Sequence, residues 1–360
     1  MQSDEPLTLV YKTCDSGPIR LDVHPPTEVI SGVGAIVYFH GGGLTVGNRK
    51  SWFPTWLQKR VNQAGHLLIC PDYRLLPTGG VTGHEILQDI RDLFAFIFGS
   101  EFEKALDKLQ SKEGASSKLD PNRIAVAGTS SGGTCAYLAA IHIEPRPRAV
   151  LSMYGMGGDF LIPHYYTSKT TPFFRGRELL EPKKFTQYLY PSVSSEPSKS
   201  ISESSLEYHP PTSPTPGYPA NPHMLLSRLY LQLGSFLDYY TGQHHPSLSA
   251  SLRETSYQNS EPGTRKLLPG NIDDRHSCLF PSLNVHPNWP PTLLVHGSED
   301  SAVPVAESQH LHELLLAAGV SSELKVVEGK EHSFDYEPDA ETKYQDLFDH
   351  IGRFLDTQLR

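Results

Sequence analysis

Gly128-Thr129-Ser130-Ser131-Gly132-Gly133 carries the residue types of an activated serine. An apolar run, Arg123 to Ala127, precedes it, and a helix-like stretch from Thr134 to Ile143 follows. A serine flanked by glycines between a strand and a helix sits on a tight turn, where glycine relieves crowding and the hydroxyl stands clear of the backbone. The N-terminal end of the following helix favours negative charge at the same place. A serine hydroxyl needs a base to take its proton and an acid to orient that base. His332 in Glu328-Gly329-Lys330-Glu331-His332 is the candidate base, and Asp300, Glu299 and Asp335 are candidate acids. His40-Gly41-Gly42-Gly43 could aim backbone N–H groups at a developing oxyanion, with the Ser131 N–H as a further donor. His40 itself reads as a residue that anchors this loop.

These residues need rigid supports, and the hydropathy pattern supplies them. Leu7–Thr13 and Ile19–His24 flank the turn cluster Asp15-Ser16-Gly17-Pro18 and read as a hairpin. Gly34–Phe39, His66–Cys70, Arg123–Ala127, Ala149–Tyr154, Pro291–Val295 and Leu324–Val327 read as strands of a mainly parallel sheet, because a strand covered on both faces is apolar throughout. Three- and four-residue spacing predicts helices over His84–Gln110, Glu307–Ala318 and Asp339–Leu359. Ser130, Asp300 and His332 each follow a predicted strand, so an α/β sheet would present them along one edge.

Between Tyr154 and Trp289 the alternation stops, for longer than an ordinary connection. We expect a catalytic core of residues 1–155 and 286–360, interrupted by an inserted cap or lid at 156–285. Within the cap, His223–Tyr240 reads as one amphipathic helix over the Ser130 site, joined by aromatic residues from Tyr165 to Tyr190. The Ser/Pro-rich stretch 191–222 reads as a surface loop contributing little to a pocket.

The net charge of −9 comes with no basic block, which argues against nucleic acid as a partner. Four dispersed cysteines, Cys14, Cys70, Cys135 and Cys278, match no zinc or Cys-x-x-Cys spacing, and His244-His245 are adjacent rather than spaced as ligands. No zinc site is therefore expected. The polar start Met1-Gln2-Ser3-Asp4-Glu5-Pro6 lacks the pattern of a signal peptide, and no apolar run is long enough to span a bilayer. A cytoplasmic protein is the expectation; a homodimer is compatible with the sequence.

Taken together, His40-Gly41-Gly42-Gly43, Asp72-Tyr73-Arg74-Leu75-Leu76-Pro77 and Gly128-Thr129-Ser130-Ser131-Gly132-Gly133 resemble the hormone-sensitive-lipase-like branch of the α/β-hydrolases. The resemblance covers roughly residues 7–154 and 289–357, and is most similar to fungal members, several of which serve secondary metabolism. It implies the α/β-hydrolase fold: a mostly parallel central sheet flanked by helices, with a large inserted cap. It implies a carboxylesterase-type serine hydrolase that acts on a small-molecule ester without a metal or organic cofactor. The chain order Ser130, Asp300, His332 follows the family, as does the spacing of Asp300 after His296-Gly297, so the resemblance favours Asp300 as the acid. Gly41, Gly42 and Ser131 take the oxyanion-hole positions. Thr129 and Ser131 depart from the family, which usually has an acidic residue before the serine and a small apolar one after it. Thioester release, lactonisation or non-hydrolytic cyclisation on the same triad, and a non-catalytic small-molecule receptor on the same scaffold, are the alternative readings.

Overall fold

The structure is a computed structural model that describes residues 5–26, 32–107, 118–195, 198–258 and 272–360. The start Met1–Asp4 and the last three residues of the helix predicted to reach Gln110 lie outside the described residues, as does part of the 156–285 segment.

Among the described residues eight strands form one sheet: β1 (Leu7–Cys14), β2 (Gly17–His24), β3 (Val33–Phe39), β4 (Leu67–Pro71), β5 (Leu119–Thr129), β6 (Ala149–Met153), β7 (Thr292–Gly297) and β8 (Ser322–Val327). Their spatial order is β1-β2-β4-β3-β5-β6-β7-β8. β1 and β2 form the antiparallel hairpin, β2 pairs antiparallel with β4, and every later pairing is parallel. β3 shows why its sequence reads as an unbroken apolar run. Ala35, Val37 and Phe39 enter one hydrophobic layer while Ile36 and Tyr38 enter the opposite one. The second layer is closed by helices Thr55–Gln63 and Gln345–Leu359, where Trp56 stacks on Phe348 with ring centroids 4.1 Å apart.

The first layer is closed by helices Gly83–Ile97 and Ser131–His142, with Val305–Ala317 beside β7 and β8. Gly83–Ile97 starts at a capping box, in which the Thr82 hydroxyl accepts from the helix backbone and Glu85 accepts from the Thr82 N–H at 2.8 Å.

Three helices expected to be continuous are broken. The stretch from 84 divides at Phe98-Gly99 into Gly83–Ile97 and Ser100–Asp107; the closing helix divides at Tyr344 into Ala340–Lys343 and Gln345–Leu359; and His223–Tyr240 divides into His223–Leu233 and Phe236–Thr241. The last break has a clear cause. Gly234 takes a left-handed conformation at φ +62°, where it terminates the helix, and a Cβ there would lie 2.5 Å from the Ser168 nitrogen. Apolar spacing continues across each break, so periodicity alone bridges it.

Residues of the long connection between β6 and β7 share the first hydrophobic layer. Phe160, Tyr165, Phe236, Tyr240 and Phe280 form one aromatic cluster, with Phe160 centroids 4.9 Å from Tyr165 and 4.8 Å from Tyr240. Among the described residues no helix is long and apolar enough to cross a membrane.

Candidate active site

β5 ends at Thr129 and the next helix begins at Ser131, so Ser130 alone makes the turn. Its backbone adopts φ +52° and ψ −125°, a conformation a non-glycine residue holds only when its surroundings impose it, at about 1–3 kcal/mol. The surroundings do so: the Ser130 N–H donates to the Met153 carbonyl at 3.1 Å, and the Ser130 carbonyl accepts from Gly133 and Met156 at 2.9 and 2.7 Å. Glycine is required on both sides. A Cβ on Gly128 would lie 2.1 Å from the Gly132 carbonyl oxygen, and one on Gly132 would lie 2.1 Å from that of Phe39. Thr129, where the family usually carries an acid, is buried with its hydroxyl 2.9 Å from the Tyr38 hydroxyl.

The loops after β7 and β8 bring the other two side chains to Ser130. His332 Nε2 lies 3.0 Å from Ser130 Oγ, and His332 Nδ1 lies 2.7 Å from Asp300 Oδ2. With Nδ1–H donating to the carboxylate, Nε2 keeps its lone pair for the serine hydroxyl. Asp300 is itself fixed, since Oδ1 accepts from the Ala302 and Val303 N–H groups, each at 2.9 Å. Burial disfavours its charge, but His332 and buried His296, 3.2 Å away, outweigh that and hold the carboxyl well below the usual range. Glu299 is exposed. Asp335 is buried and accepts from Tyr154 Oη at 2.5 Å and Trp56 Nε1 at 3.2 Å, and the Tyr154 ring stands edge-on to His332 at 4.6 Å.

The glycine loop after β3 lies directly against this turn. A Cβ on Gly41 would sit 3.2 Å from the Ser130 Cβ, and one on Gly42 (φ +113°) would sit 2.0 Å from the Val46 carbonyl oxygen. His40 anchors the loop from beneath. It stacks on Tyr73 at 4.4 Å, its Nδ1 lies 2.7 Å from the Gly41 carbonyl, and the Tyr73 hydroxyl donates to the His40 carbonyl at 2.7 Å. Burial pushes the His40 imidazole down to about 4, leaving it neutral. Gly41 and Gly42 line the same cavity as Ser130, and Ser131 is the first residue of the helix that follows it.

Above these residues lies a cavity of about 220 Å³ that contains Ser130 and His332. Its walls differ from the sequence expectation in three respects. Helix His223–Leu233 does cover the site, but Met224, Ser227, Arg228 and Leu231 line it, while Leu229 is turned into the core with no exposed surface. Of the aromatic residues between Tyr165 and Tyr190, Phe174 reaches the cavity, while Tyr165 is buried against Glu307. The 191–222 stretch is not a bystander. Tyr208 and Pro219 line the cavity, and Ser204 pairs with Gly47 through two backbone hydrogen bonds of 2.9 and 3.0 Å. Glu203 meets Arg49 at 2.7 Å, and Arg49 in turn holds Asp72 at 2.6 Å. Arg175, Arg177, Trp52 and Tyr336 also line the cavity. No sequence signal marks them, because isolated arginines and aromatics in loops look like ordinary surface residues.

Residues 36–212 match a family described as alpha/beta hydrolase fold, and residues 267–358 match the prolyl oligopeptidase family. The chain is 27% identical over 308 residues to "Probable carboxylesterase M8" of a Phoma species, covering 83% of this chain and 79% of that one. It is 26% identical over 349 residues to the non-reducing polyketide synthase trt4 of Aspergillus terreus, covering 92% of this chain but 13% of that much longer protein. Among solved structures, a Staphylococcus aureus protein described as of unknown function superposes with a TM-score of 0.63 at 19% identity, covering 98% of this chain and 100% of the other. A mostly parallel sheet with helices on both faces, together with the family match across its glycine loop and serine turn, shows that this chain has the alpha/beta hydrolase fold.

Proposed function

We propose that this protein is a serine hydrolase of the carboxylesterase type. Ser130 Oγ attacks the acyl carbon, His332 Nε2 takes its proton and returns it to the leaving alcohol, and Asp300 holds the imidazole in the productive tautomer. The N–H groups of Gly41, Gly42 and Ser131 bind the oxyanion; in enzymes of this kind, loss of one such donor costs about 10²–10³ in kcat. Water then releases the acyl group along the same proton path. The observation that carries this reading is the Asp300–His332–Ser130 chain, at 2.7 and 3.0 Å, ending in a strained serine that faces a cavity. Similarity to a named carboxylesterase supports the ester as the bond cleaved. In the same reading, residues 1–155 and 286–360 form the catalytic core, and 156–285 form a cap selecting an ester with a bulky apolar body.

A second reading keeps the acyl-enzyme and changes its acceptor, giving thioester release, lactonisation or cyclisation. Similarity over most of this chain to a segment of a polyketide synthase favours it and suggests a place in secondary metabolism. A fluorophosphonate probe followed by peptide mapping tests the common core. Label on Ser130, with hydrolysis of short p-nitrophenyl esters abolished in Ser130→Ala, is the expected result. Label elsewhere, or full activity in Ser130→Ala, overturns the assignment. Product analysis with added alcohols then separates hydrolysis from transfer.

A further inference from the structure

The cavity above Ser130 is bordered by a buried positive charge that no acidic side chain among the described residues neutralises. Arg228, on helix His223–Leu233, is 6% exposed and lines the cavity. Its Nε is buried and has no hydrogen-bond partner among the described residues. Burial disfavours the charged guanidinium, the Tyr218 hydroxyl supports it, and Arg177, which lines the same cavity, opposes it. Arg175, the third arginine of the cavity, is engaged with the His332 carbonyl and with Glu331 at 3.5 Å. Arg228 also borders a second, more open depression that includes Glu178 and Glu181. Neither forms an ion pair with Arg228, and Glu181 pairs with Lys184 at 2.9 Å.

Arginine keeps its proton in proteins, so burial cannot be relieved by neutralisation. A buried charge without a counter-ion is unfavourable, and a ligand that brings the counter-ion removes that cost. We propose that the substrate carries, apart from its scissile ester, an ionised oxyanion (carboxylate or phosphate) that Arg228 binds with Arg177 while the ester lies at Ser130. The proposal rests on the esterase reading above and narrows its substrate class. Met224, Leu231 and Phe174 form an apolar stretch of the same wall, so the ligand is amphipathic, an apolar body with one anionic end. The planar fork of a guanidinium matches either oxyanion through paired N–H donors.

Binding is measured without chemistry, by calorimetric titration of Ser130→Ala protein with 4-phenylbutyrate, 3-phenylpropylphosphonate and the neutral 4-phenylbutanamide. At least one anion is expected to bind about tenfold or more tightly than the amide, as charge-assisted hydrogen bonds in a buried site do. Arg228→Leu should erase that preference and Arg228→Lys should restore part of it. The tighter anion identifies the oxyanion. Neither anion binding better than the amide, or a preference that survives Arg228→Leu, overturns the proposal. If Arg228→Leu does not fold, the anion-against-amide comparison in protein that retains Arg228 still decides. In the enzyme with Ser130, the ratio of kcat/KM for mono-p-nitrophenyl glutarate to that for p-nitrophenyl valerate should fall in Arg228→Leu, through KM. Failure of Ser130 to take a fluorophosphonate label would refute the esterase reading while leaving the calorimetric result to stand separately.

Discussion

Asp335 follows His332 by three residues and is the nearer carboxylate in sequence, yet its two oxygens accept from Tyr154 and Trp56, and Asp300 takes the imidazole. Two predictions separate these carboxylates. Asp300→Asn should lower kcat for a p-nitrophenyl ester by about 10³–10⁴, because an amide no longer orients the neutral tautomer. Asp335→Asn should lower it by less than about tenfold, since the Asp335 oxygens accept from Tyr154 and Trp56 while Asp300 holds the imidazole. The larger loss appearing in Asp335→Asn would reassign the acid. The second prediction concerns stability. Burial raises the Asp335 carboxyl to about 6, despite the hydrogen bonds from Tyr154 and Trp56. A carboxyl with a raised folded pKa contributes stability that is complete below its unfolded value near 3.8 and is lost as pH rises through about 6. Between about pH 4 and 7 the wild type should therefore lose on the order of 2–3 kcal/mol relative to Asp335→Asn in parallel denaturant titrations. Asp300 acts in the opposite direction: its depressed pKa gives stability that is present above the ordinary carboxylate range and fades as pH falls below it.

The helix His223–Leu233 shows how one element serves two neighbours. Leu225, Leu226 and Leu229 belong to the core, Met224, Ser227 and Arg228 line the cavity, and Leu231 does both. Gly43 (φ +64°) lets the glycine loop approach so closely that a Cβ there would lie 2.3 Å from the Ser227 side chain. Thr45 secures the junction, its hydroxyl donating to the His223 carbonyl at 2.9 Å. Substitutions on the cavity side should therefore alter selectivity with less effect on folding than those on the core side. Met224→Trp should cut kcat/KM for p-nitrophenyl octanoate at least about tenfold more than for the acetate, since overfilling a packed wall excludes the longer chain first. Equal losses on both esters would mean that this wall does not contact the acyl group. Leu229→Asp would place a charge in the core and is expected to prevent folding, so it does not probe selectivity.

Across the whole molecule, the segment around Glu203 to Pro219 ties the hairpin side of the sheet to the cavity. Glu203 reaches Arg49 and also Arg20, at 2.7 and 3.2 Å; Arg49 joins Asp22 and Asp72, and Tyr208 and Pro219 stand over the site. The partly exposed ion pairs contribute little stability singly, so their role here is positional. Replacing residues 205–218 with a Gly/Ser linker should raise KM for bulky esters several-fold, to be measured beside fluorophosphonate labelling of Ser130, which should persist. Unchanged KM across ester sizes would make the segment a surface feature only.

The strands, the mainly parallel character of the sheet, the serine turn and the glycine loop were legible in the sequence because each leaves a local pattern, whereas the spatial order of the strands was not. A strand covered on both faces is an uninterrupted apolar run, and a turn without room for a Cβ demands glycine at Gly128 and Gly132. Other features belong to the tertiary structure. Residue type alone does not separate the carboxylates near His332; the family resemblance favours Asp300, and the structure adds where the β7 and β8 loops point and which partners already occupy Asp335. Apolar spacing runs through Gly234, so the helix break shows only where the backbone must pass Ser168. Whether an arginine is solvated or buried without a counter-ion is a property of what packs around it, and residues distant in sequence do that packing for Arg228.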